Sequence, residues 1–547
     1  MPYYNPALIF GSIPMALSKD DESFGSFYKK ICDTIRHDRF LVLADGVPYM
    51  VSPHWVRDHV HEMKGFRHWE RELKPFIEEL VKNQTDEGYF YEIMTDMYDY
   101  HVCVVDDSLK KYDPENNRVF IRTEWEADVE YLVVEGVYYI YKATGDDTWV
   151  RKILPALEKA INYSTSSPKR WDEEHGLVKR GFTIDTWDFV SGQDTTHRQI
   201  SDSTPMSLMH GDNSGIYQAM QQLAWINRRL GMEDVARQWE SRAVKLLENI
   251  NRYLWNGTIY THQVHLNHEG IRNEDETKRL SLSNAYDMNR GICTQEQIDS
   301  IVGEYQRRRV TTKAFAEWYT IDPPYFPAFG GPNNDQVAAG HYINGSIVPF
   351  VGAELARAAL NNGHEAYGWD ILSRIRKLVE RDGELYYMYT PDENGGEDMT
   401  HGGGPSGWTA GTIIEAVEQG VAGIIDTGVC YETMKFTPRW AITGIKEVKY
   451  ITGYEISHSL VETLYLEDND KTTIYLRCPS SYVDCHILLP EGKQVAKVML
   501  DSEEISFTES VVCQSHYVDF VFERDPGEVS RIEWKPHKKT MIEILFK

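Results

Sequence analysis

Apolar residues recur at steps of three and four along most of the chain between residues 55 and 424, a pattern that predicts amphipathic helices. In four places a glycine follows one such segment, and a second apolar segment begins within about four residues. This is expected when a glycine in the left-handed conformation ends a helix. The sequence therefore predicts helical hairpins over residues 55–64 with 69–82, 125–144 with 149–163, 214–230 with 234–250, and 345–362 with 366–380. Further helices are predicted at residues 282–290, 295–308 and 408–424.

The segments that connect one hairpin to the next, which we call returns, are long, and their length distinguishes an α/α toroid from a superhelical repeat array. Superhelical repeat arrays keep a period of about 34–47 residues. The turn glycines Gly65, Gly145, Gly231 and Gly363 lie 80, 86 and 132 residues apart. We therefore expect a mainly α chain with an α/α toroid over residues 46–430, whose long returns gather at one end.

After about residue 431 the pattern changes to short segments with partial alternation, rich in β-branched and aromatic residues. Turn clusters such as Pro490-Glu491-Gly492 and Asp525-Pro526-Gly527 separate them. The sequence predicts a C-terminal antiparallel β-sandwich over residues 431–547. Residues 1–45 look partly extended and are left unassigned.

Composition narrows the possible partners. The 84 acidic and 57 basic residues give a formal net charge of −27, which argues against nucleic acids and anionic membranes, because both require a basic surface. No run of about 18 apolar residues is present to span a membrane. The 33 Tyr, 19 Phe and 14 Trp make up 12% of the chain, and they either fill a core or stack on sugar rings.

Seven scattered cysteines and no C-x-x-C spacing argue against a disulfide framework or a structural zinc site, and favour a reducing compartment. The first residues, MPYYNPALIFGSIP, lack the basic and apolar regions of a signal peptide. We expect a soluble, cytoplasmic protein.

Ionisable and aromatic residues cluster where the long returns meet the heads of predicted helices. The first cluster, HWVRDHVHE, contains Trp55, Arg57 and Asp58. Hydroxyl recognition is favoured there over a metal site, because the H-E-x-x-H motif is absent. The second cluster, RTEWEAD, contains Arg122 and Glu124, although its T-x-x-E spacing would also suit a capping box.

In the third cluster, TIDTWDF, Asp188 follows Trp187 and precedes a phenylalanine. Apolar surroundings raise the pKa of a carboxyl group, as a general acid requires, although a buried helix cap is the alternative. The fourth and fifth clusters lie at helix heads where ordinary N-caps would look the same. They contain Asp212 with Asn213, and Tyr342 with Asn344.

The sixth cluster is the loop of residues 391–408, PDENGGEDMTHGGGPSGW, which ends at Trp408. Its four acids, Glu393 and Glu397 among them, do not follow the alternating positions of an EF-hand calcium loop. A solvated acidic turn is one interpretation, and a mobile loop that carries a carboxylate to a site is the other. In a toroid these clusters converge on one mouth, where two carboxyl groups amid aromatic residues can hydrolyse a glycosidic bond.

The order of these motifs resembles the six-hairpin glycosidases, most closely the trehalase family and its relatives, the processing glucosidases and debranching enzymes. The resemblance is carried by Trp55, Asp58, Arg122, Glu124, Trp125, Asp128, Trp187-Asp188-Phe189, Asp212-Asn213, Asn344-Gly345, Pro349, Gly402–Gly404 and Gly407-Trp408-Thr409-Ala410-Gly411. It implies an (α/α)6 toroid without cofactor or metal, in which Asp188 is the general acid. The C-terminal sandwich is more similar to that of rhamnosidase-type relatives.

One departure concerns the general base. In the family the general base lies in a Glu-Lys-Tyr segment before the glycine run, where this chain reads Tyr387-Met388-Tyr389 and has no carboxylate. Glu393 and Glu397 are therefore the candidates for the base, by their position in the sequence alone. We expect an inverting glycoside hydrolase for a neutral oligosaccharide or glycoside, with its two carboxyl groups about 6.5–9.5 Å apart. The predicted sugar-binding residues are Trp55, Arg57, Asp58, Arg122, Glu124, Trp187, Asp212, Asn213, Tyr342, Asn344 and Trp408.

Two alternatives remain open. A phosphorylase or lyase could use the same toroid, and phosphate-dependent turnover would identify a phosphorylase. A carbohydrate-binding protein that has lost its base would bind sugar without forming product.

Overall fold

The computed structural model describes residues 13–37, 40–44, 47–51, 55–97, 105–185, 198–329, 338–393, 405–525 and 538–547. Twelve α-helices lie in these ranges: α1 Glu22–His37, α2 Val56–Phe66, α3 Pro75–Lys82, α4 Val129–Thr144, α5 Asp147–Ser164, α6 His210–Arg229, α7 Glu233–Tyr253, α8 Ser283–Arg290, α9 Gln295–Thr311, α10 Pro349–Asn361, α11 Glu365–Asp382 and α12 Gly407–Glu415. Every helix predicted from the sequence is present, and α1 falls in the segment left unassigned.

The even-numbered helices form what we call the helix ring. Each of α2, α4, α6, α8 and α10 contacts the next even-numbered helix, and α12 contacts α2. Glycine permits the last contact, because a Cβ on Gly411 would lie 2.5 Å from the backbone oxygen of His61.

Odd-numbered helices pack outside this ring. Contacts join α1 to α12, α3 and α5 to α4, α7 to α6, and α11 to α10. Helix α7 shows the reason, because its buried residues recur at steps of three and four along one face: Ala236, Trp239, Ala243, Leu246 and Ile250. The turn between α4 and α5 contains Gly145 at φ 61°, the left-handed cap that its position predicted.

The long returns contain short strands, so the chain is a mixed helix and sheet protein rather than a mainly helical one. The strands are β2 Phe40–Ala44, β3 Val47–Val51, β4 Ile93–Asp96, β5 Lys110–Asp113, β6 Arg118–Ile121, β7 Trp171–Asp172, β8 Leu177–Gly181, β9 Met206–Met209, β10 Gln263–His265, β11 Leu280–Ser281 and β12 Ile321–Asp322, after β1 Met15–Ser18. They pair in the orders β2-β3, β4-β6-β5, β10-β9-β8-β7 and β11-β12. This pairing satisfies backbone groups in returns that cross buried surface.

The C-terminal part contains two sheets. The strands are β13 Ile424–Asp426, β14 Thr433–Phe436, β15 Glu447–Tyr454, β16 Ser459–Glu467, β17 Lys471–Arg477, β18 Tyr482–Leu488, β19 Val495–Leu500, β20 Glu503–Ile505, β21 Thr508–Val512, β22 Ser515–Glu523 and β23 Thr540–Phe546. Their orders are β1-β15-β16-β17-β23-β19-β20 and β13-β14-β18-β22-β21. All pairs are antiparallel except β14 with β18.

Two details differ from the sequence-based prediction. Strand β1 joins the seven-stranded sheet through β15, with Met15 opposite Ile451, so the unassigned N-terminal segment completes a C-terminal sheet. The helix predicted to reach residue 424 continues past α12 only as a π-helical turn, Ala416–Val421. Gly423, at φ 66°, follows that turn and directs the chain into β13.

Charged side chains fill part of the interior of the helix ring. Lys64 Nζ lies 2.5 Å from Glu354 Oε1, and Arg357 is paired with both Glu354 and Glu415. Burial opposes the charged form of Glu354, but Arg357 and Lys64 outweigh it and hold its pKa at about 2. Among the described helices, none combines the length and apolar character needed to cross a bilayer.

Candidate active site

Residues of five ring helices, together with Arg180 and Asp185 from a return, surround a narrow cavity, which we call the mouth cavity. Its lining consists of Arg57, His61, Asp128, Tyr131, Arg180, Asp185, Gly211, Asp212, Leu282, Ser283, Tyr286, Arg290 and Trp408. The enclosed volume is about 20 Å³, which holds one water molecule. Three arginines, three aspartates and three aromatic residues therefore face one small space.

Arg57, in the first turn of α2, pairs with the head of α4. Its Nε and Nη2 donate to the two carboxylate oxygens of Asp128 at 2.6 and 3.0 Å, and Nη2 also contacts Glu126. Burial disfavours the charged form of Asp128, but Arg57 prevails and holds its pKa below the usual range. At the adjacent Asp58, burial outweighs the opposing charge of Arg57 and raises the pKa to about 6.

A second arginine and carboxylate pair comes from a return and the head of α6. Arg180 Nη1 lies 3.4 and 3.5 Å from the carboxylate oxygens of Asp212. Burial is the largest influence on Asp212 and raises its pKa to about 6, with Asp128 and Asp185 adding repulsion and Arg180 opposing. A carboxyl group in this condition exchanges its proton near neutral pH, which suits general acid catalysis.

The third aspartate is held ionised. The backbone N–H and hydroxyl of Ser283 donate to the carboxylate of Asp185 at 3.0 and 2.9 Å. Although burial opposes ionisation, His210 and His262 lead the effects that lower the pKa of Asp185. His210 itself lies 2.5 Å from Asp287 behind the cavity.

Aromatic rings form another part of the lining. The rings of His61 and Trp408 stack at 4.3 Å with an interplanar angle of 7°, and Phe350 stacks on Trp408 at 4.6 Å. Trp408 Nε1 donates to the hydroxyl of Tyr286 at 3.2 Å. Burial and nearby cations lower the pKa of His61, so its ring is neutral. The stack supplies a rigid apolar wall.

A third arginine lies over two tyrosines of this lining. The Arg290 guanidinium is 5.0 Å from the ring of Tyr131 and 5.3 Å from that of Tyr286. It donates to the backbone oxygen of Gly211 at 2.8 Å and to the hydroxyl of Ser214 at 3.1 Å. The position of Arg290 is therefore set by α6 as well as by its own helix.

Three of the predicted site residues, Arg57, Asp212 and Trp408, line the mouth cavity. Asp58 is partly buried beside Arg57, and Trp55 immediately precedes α2 and bridges to Ile93. Trp187, Asp188 and Glu397 lie outside the described residues, and their roles stay predictions.

Other predicted residues make contacts away from the cavity lining. Arg122 pairs with Glu130 at 3.2 Å, and Glu124 pairs with Lys169 at 2.5 Å. The side chain of Asn213 bonds both backbone groups of Val178, and that of Asn344 bonds both backbone groups of Tyr325. These four side chains hold the returns around the site in place.

Two further predicted residues lie in the loops. Tyr342 is nearly buried at φ 48°, and Glu393 is exposed and pairs with Arg381, a residue of α11, at 2.8 Å. Glu393 is not among the residues of the cavity lining, and its carboxylate contacts an outer helix instead.

Several lining residues were not selected from the sequence. Asp128 and Asp185 lay inside quoted motifs, and for Asp128 its position immediately before a helix was the available signal. Arg180 lies in a strand, and Tyr286 and Arg290 lie in a short helix. The sequence around them contains no motif that would distinguish them from ordinary surface residues. Two histidines of the first cluster, His59 and His61, are buried, with the His59 ring packed 4.1 Å from Phe76 and its pKa lowered by burial to about 3.

Comparison with known proteins supports the fold alone. No family model matches the sequence, and no curated protein matches it. The fold is similar to α-L-rhamnosidase structures from Dictyoglumus thermophilum (TM-score 0.61, 10% identity, 98% of this chain and 50% of that chain) and Streptomyces avermitilis (0.57, 12%, 97% and 42%). It is also similar to a GH78 family rhamnosidase from Bacillus sp. GL1 (0.55, 12%, 83% and 40%). The chain thus spans half or less of the length of these proteins.

Proposed function

We propose that this protein is a glycoside hydrolase built on an (α/α)6 toroid with a C-terminal β-sandwich, and that the mouth cavity is its sugar-binding site. The closed helix ring and its outer helices support the toroid. The observation that carries the function is the mouth cavity itself, where Asp212, with a pKa of about 6, faces the ionised Asp185 beside a wall of stacked rings. Neutral hydroxyl-rich ligands are recognised by such combinations of carboxylates, guanidinium groups and aromatic faces.

The proposed reaction needs one protonated and one ionised carboxyl group. Asp188 is the predicted acid from its sequence motif, and of the three aspartates that line the mouth cavity Asp212 has the raised pKa that this role requires. The acid would protonate the leaving oxygen, while a carboxylate would activate water for attack on the opposite face of the sugar. Glu393 and Glu397 are the candidates for this base from the sequence, and Asp185 is an ionised carboxylate that lines the mouth cavity.

Screening aryl glycosides and natural disaccharides, with NMR detection of the first-formed anomer, tests this proposal. Turnover with inversion supports it, and the absence of turnover on every substrate class contradicts it. Rhamnosides belong in the screen because of the shared fold, and trehalose because of the sequence resemblance.

Variants separate the candidate acids. Asp188→Asn and Asp212→Asn are compared on a glycoside with a poor leaving group and on one with a dinitrophenyl leaving group, which departs without protonation. Loss of the general acid reduces only the first reaction, by about 10²–10⁴-fold. Loss of the base, tested by Glu393→Gln and Glu397→Gln, reduces both. Asp234→Asn, at a highly exposed position on α7, serves as the matched control.

A phosphorylase is the second candidate, and Arg57, Arg180 and Arg290 in one cavity favour it. Arg57 and Arg180 are paired with aspartates, so less positive charge is left to bind a phosphate than three unpaired arginines would provide. Turnover that requires inorganic phosphate and yields a sugar phosphate would identify this activity. Sugar binding without product in either assay would indicate a carbohydrate-binding protein that lacks its base.

A further inference from the structure

A second group of reactive side chains lies where the C-terminal sheets meet the outer helices. Asp299 is in the first turns of α9, His364 immediately precedes α11, and Cys513 is in the tight turn between β21 and β22. None of the three lines the mouth cavity. Their ligand atoms all lie within 4.8 Å of one another.

The distances between these ligand atoms are within about half an ångström of the edges of a zinc coordination tetrahedron. His364 Nε2 lies 2.8 Å from Asp299 Oδ1, Cys513 Sγ lies 3.4 Å from the same oxygen, and Sγ lies 3.9 Å from Nε2. Tetrahedral zinc with ordinary bond lengths to oxygen, nitrogen and sulfur places these atoms about 3.3–3.6 Å apart. Shifts of about half an ångström would therefore bring all three atoms to bonding distance of one ion.

The backbone fixes the position of the thiol. Cys513 adopts φ 54° in its turn, a conformation uncommon for residues other than glycine. A Cβ on the neighbouring Gly363 would lie 2.8 Å from the Val512 oxygen and 3.0 Å from Cys513 Sγ, so the hairpin is pressed against the turn before α11. Ser515 also hydrogen-bonds Glu365 at the head of that helix.

We propose that Asp299, His364 and Cys513 bind one divalent zinc ion, with water at the fourth position. Thiolate, imidazole and carboxylate are the ligands that zinc takes in proteins, and a three-residue set leaves one position for solvent. The ion would fasten the β21–β22 hairpin to α9 and α11. This site is independent of the proposed glycosidase activity.

Binding requires a defined exchange of protons. Without metal, the Cys513 sulfur donates a hydrogen bond to Asp299 Oδ1 at 3.4 Å, so the group carries its proton as a thiol. As the sulfur–zinc bond forms, the thiol proton leaves to solvent. His364 binds zinc as a neutral imidazole through the Nε2 lone pair, so the proton that Nε2 donates to Asp299 in the metal-free protein is replaced by one on Nδ1, and the proton released to solvent is that of the thiol. Zinc uptake therefore releases protons, which a weakly buffered solution records.

The experiment uses the full chain after treatment with a chelator. Zinc is titrated by calorimetry, bound metal is counted by elemental analysis after desalting, and cobalt replaces zinc to reveal a thiolate charge-transfer band in the near ultraviolet. We expect one tightly held zinc, the cobalt band, proton release and a higher thermal midpoint with zinc.

Variants assign the site. Cys513→Ser is expected to lose the cobalt band and the tight equivalent of zinc, and His364→Asn to weaken binding by at least about tenfold. Cys430→Ser, at a half-buried cysteine in another part of the chain, is the matched control and keeps both. Circular dichroism establishes that each variant is folded, and Asp299→Asn is a second test if one is not. Equal zinc binding by the wild-type protein and Cys513→Ser, or no tight zinc in the wild type, overturns the proposal.

Discussion

Arg57 donates two hydrogen bonds to Asp128, at 2.6 and 3.0 Å, and so joins the heads of the ring helices α2 and α4 through a buried bidentate pair. The pair belongs both to the lining of the mouth cavity and to the closure of the helix ring. Arginine suits this position because its planar guanidinium matches both carboxylate oxygens, which a lysine ammonium cannot do.

Replacement of Arg57 by methionine is expected to lower the free energy of unfolding by about 3–5 kcal/mol, because Asp128 and Glu126 are then buried without their partner. Chemical denaturation monitored by circular dichroism measures the change. Arg71→Met is the control, since Arg71 is exposed and pairs with Glu455 at 2.7 Å on the surface, where such pairs contribute less than about 1 kcal/mol. Similar losses in the two variants would contradict this account.

Asp212 is expected to make stability depend on pH between about 4 and 7. Its folded pKa of about 6 lies above the ordinary aspartate value of 3.8, so its contribution to stability is present below pH 3.8 and is lost as pH rises through 6. The loss amounts to roughly 3 kcal/mol by the size of the shift.

The measurement compares thermal midpoints of the wild-type protein and Asp212→Asn across this range. The variant should gain stability relative to the wild type as pH rises, because asparagine does not ionise. Asp234→Asn, at a highly exposed position, should follow the wild type throughout. A constant difference between Asp212→Asn and the wild type would show that Asp212 ionises normally.

Glu354 is expected to act in the opposite direction at acid pH. Its folded pKa of about 2 lies below the ordinary glutamate value of 4.5, so its stabilisation is present above pH 4.5 and is lost as pH falls towards 2. The shift corresponds to roughly 3 kcal/mol. Glu354→Gln should therefore be much less stable than the wild type at pH 7, where it leaves Lys64 and Arg357 without their shared carboxylate.

Denaturant midpoints measured from pH 7 to pH 2.5 test this prediction. The curves of the wild type and Glu354→Gln should converge at the acid end, whereas Glu503→Gln, at an exposed site in β20, should remain with the wild type. Parallel curves for Glu354→Gln would contradict the prediction.

Two glycines give a matched test of the contact that closes the helix ring. Gly411→Ala places a Cβ 2.5 Å from a backbone oxygen of α2, which cannot move as a flexible side chain would, and should cost about 1–3 kcal/mol. Gly303→Ala, in the exposed face of α9, meets nothing within 4 Å and should stabilise by about 0.4–1 kcal/mol. Thermal unfolding of both variants beside the wild type provides the comparison, and a stable Gly411→Ala protein would mean that α12 and α2 are not closely packed.

Most helices could be predicted from the sequence, since their signals are local. The period of α7 and the glycine caps at Gly145 and Gly231 depend on neighbouring residues alone, and they locate each element within a few positions. Strand β1 could not be predicted, because its partner β15 lies more than 400 residues away and nothing near Met15 indicates that pairing.

The sequence by itself determined the helical hairpins, the change to strands near residue 431 and the enrichment of acids and aromatic residues at helix heads. Only the tertiary structure brought Arg180 and Arg290 beside Asp212, and Asp299, His364 and Cys513 to one point. The physical reason is that helix periodicity and capping are local properties of the chain. A cavity or a set of metal ligands, in contrast, depends on contacts between segments that are distant in sequence, and spacing motifs such as C-x-x-C detect only ligands that are neighbours.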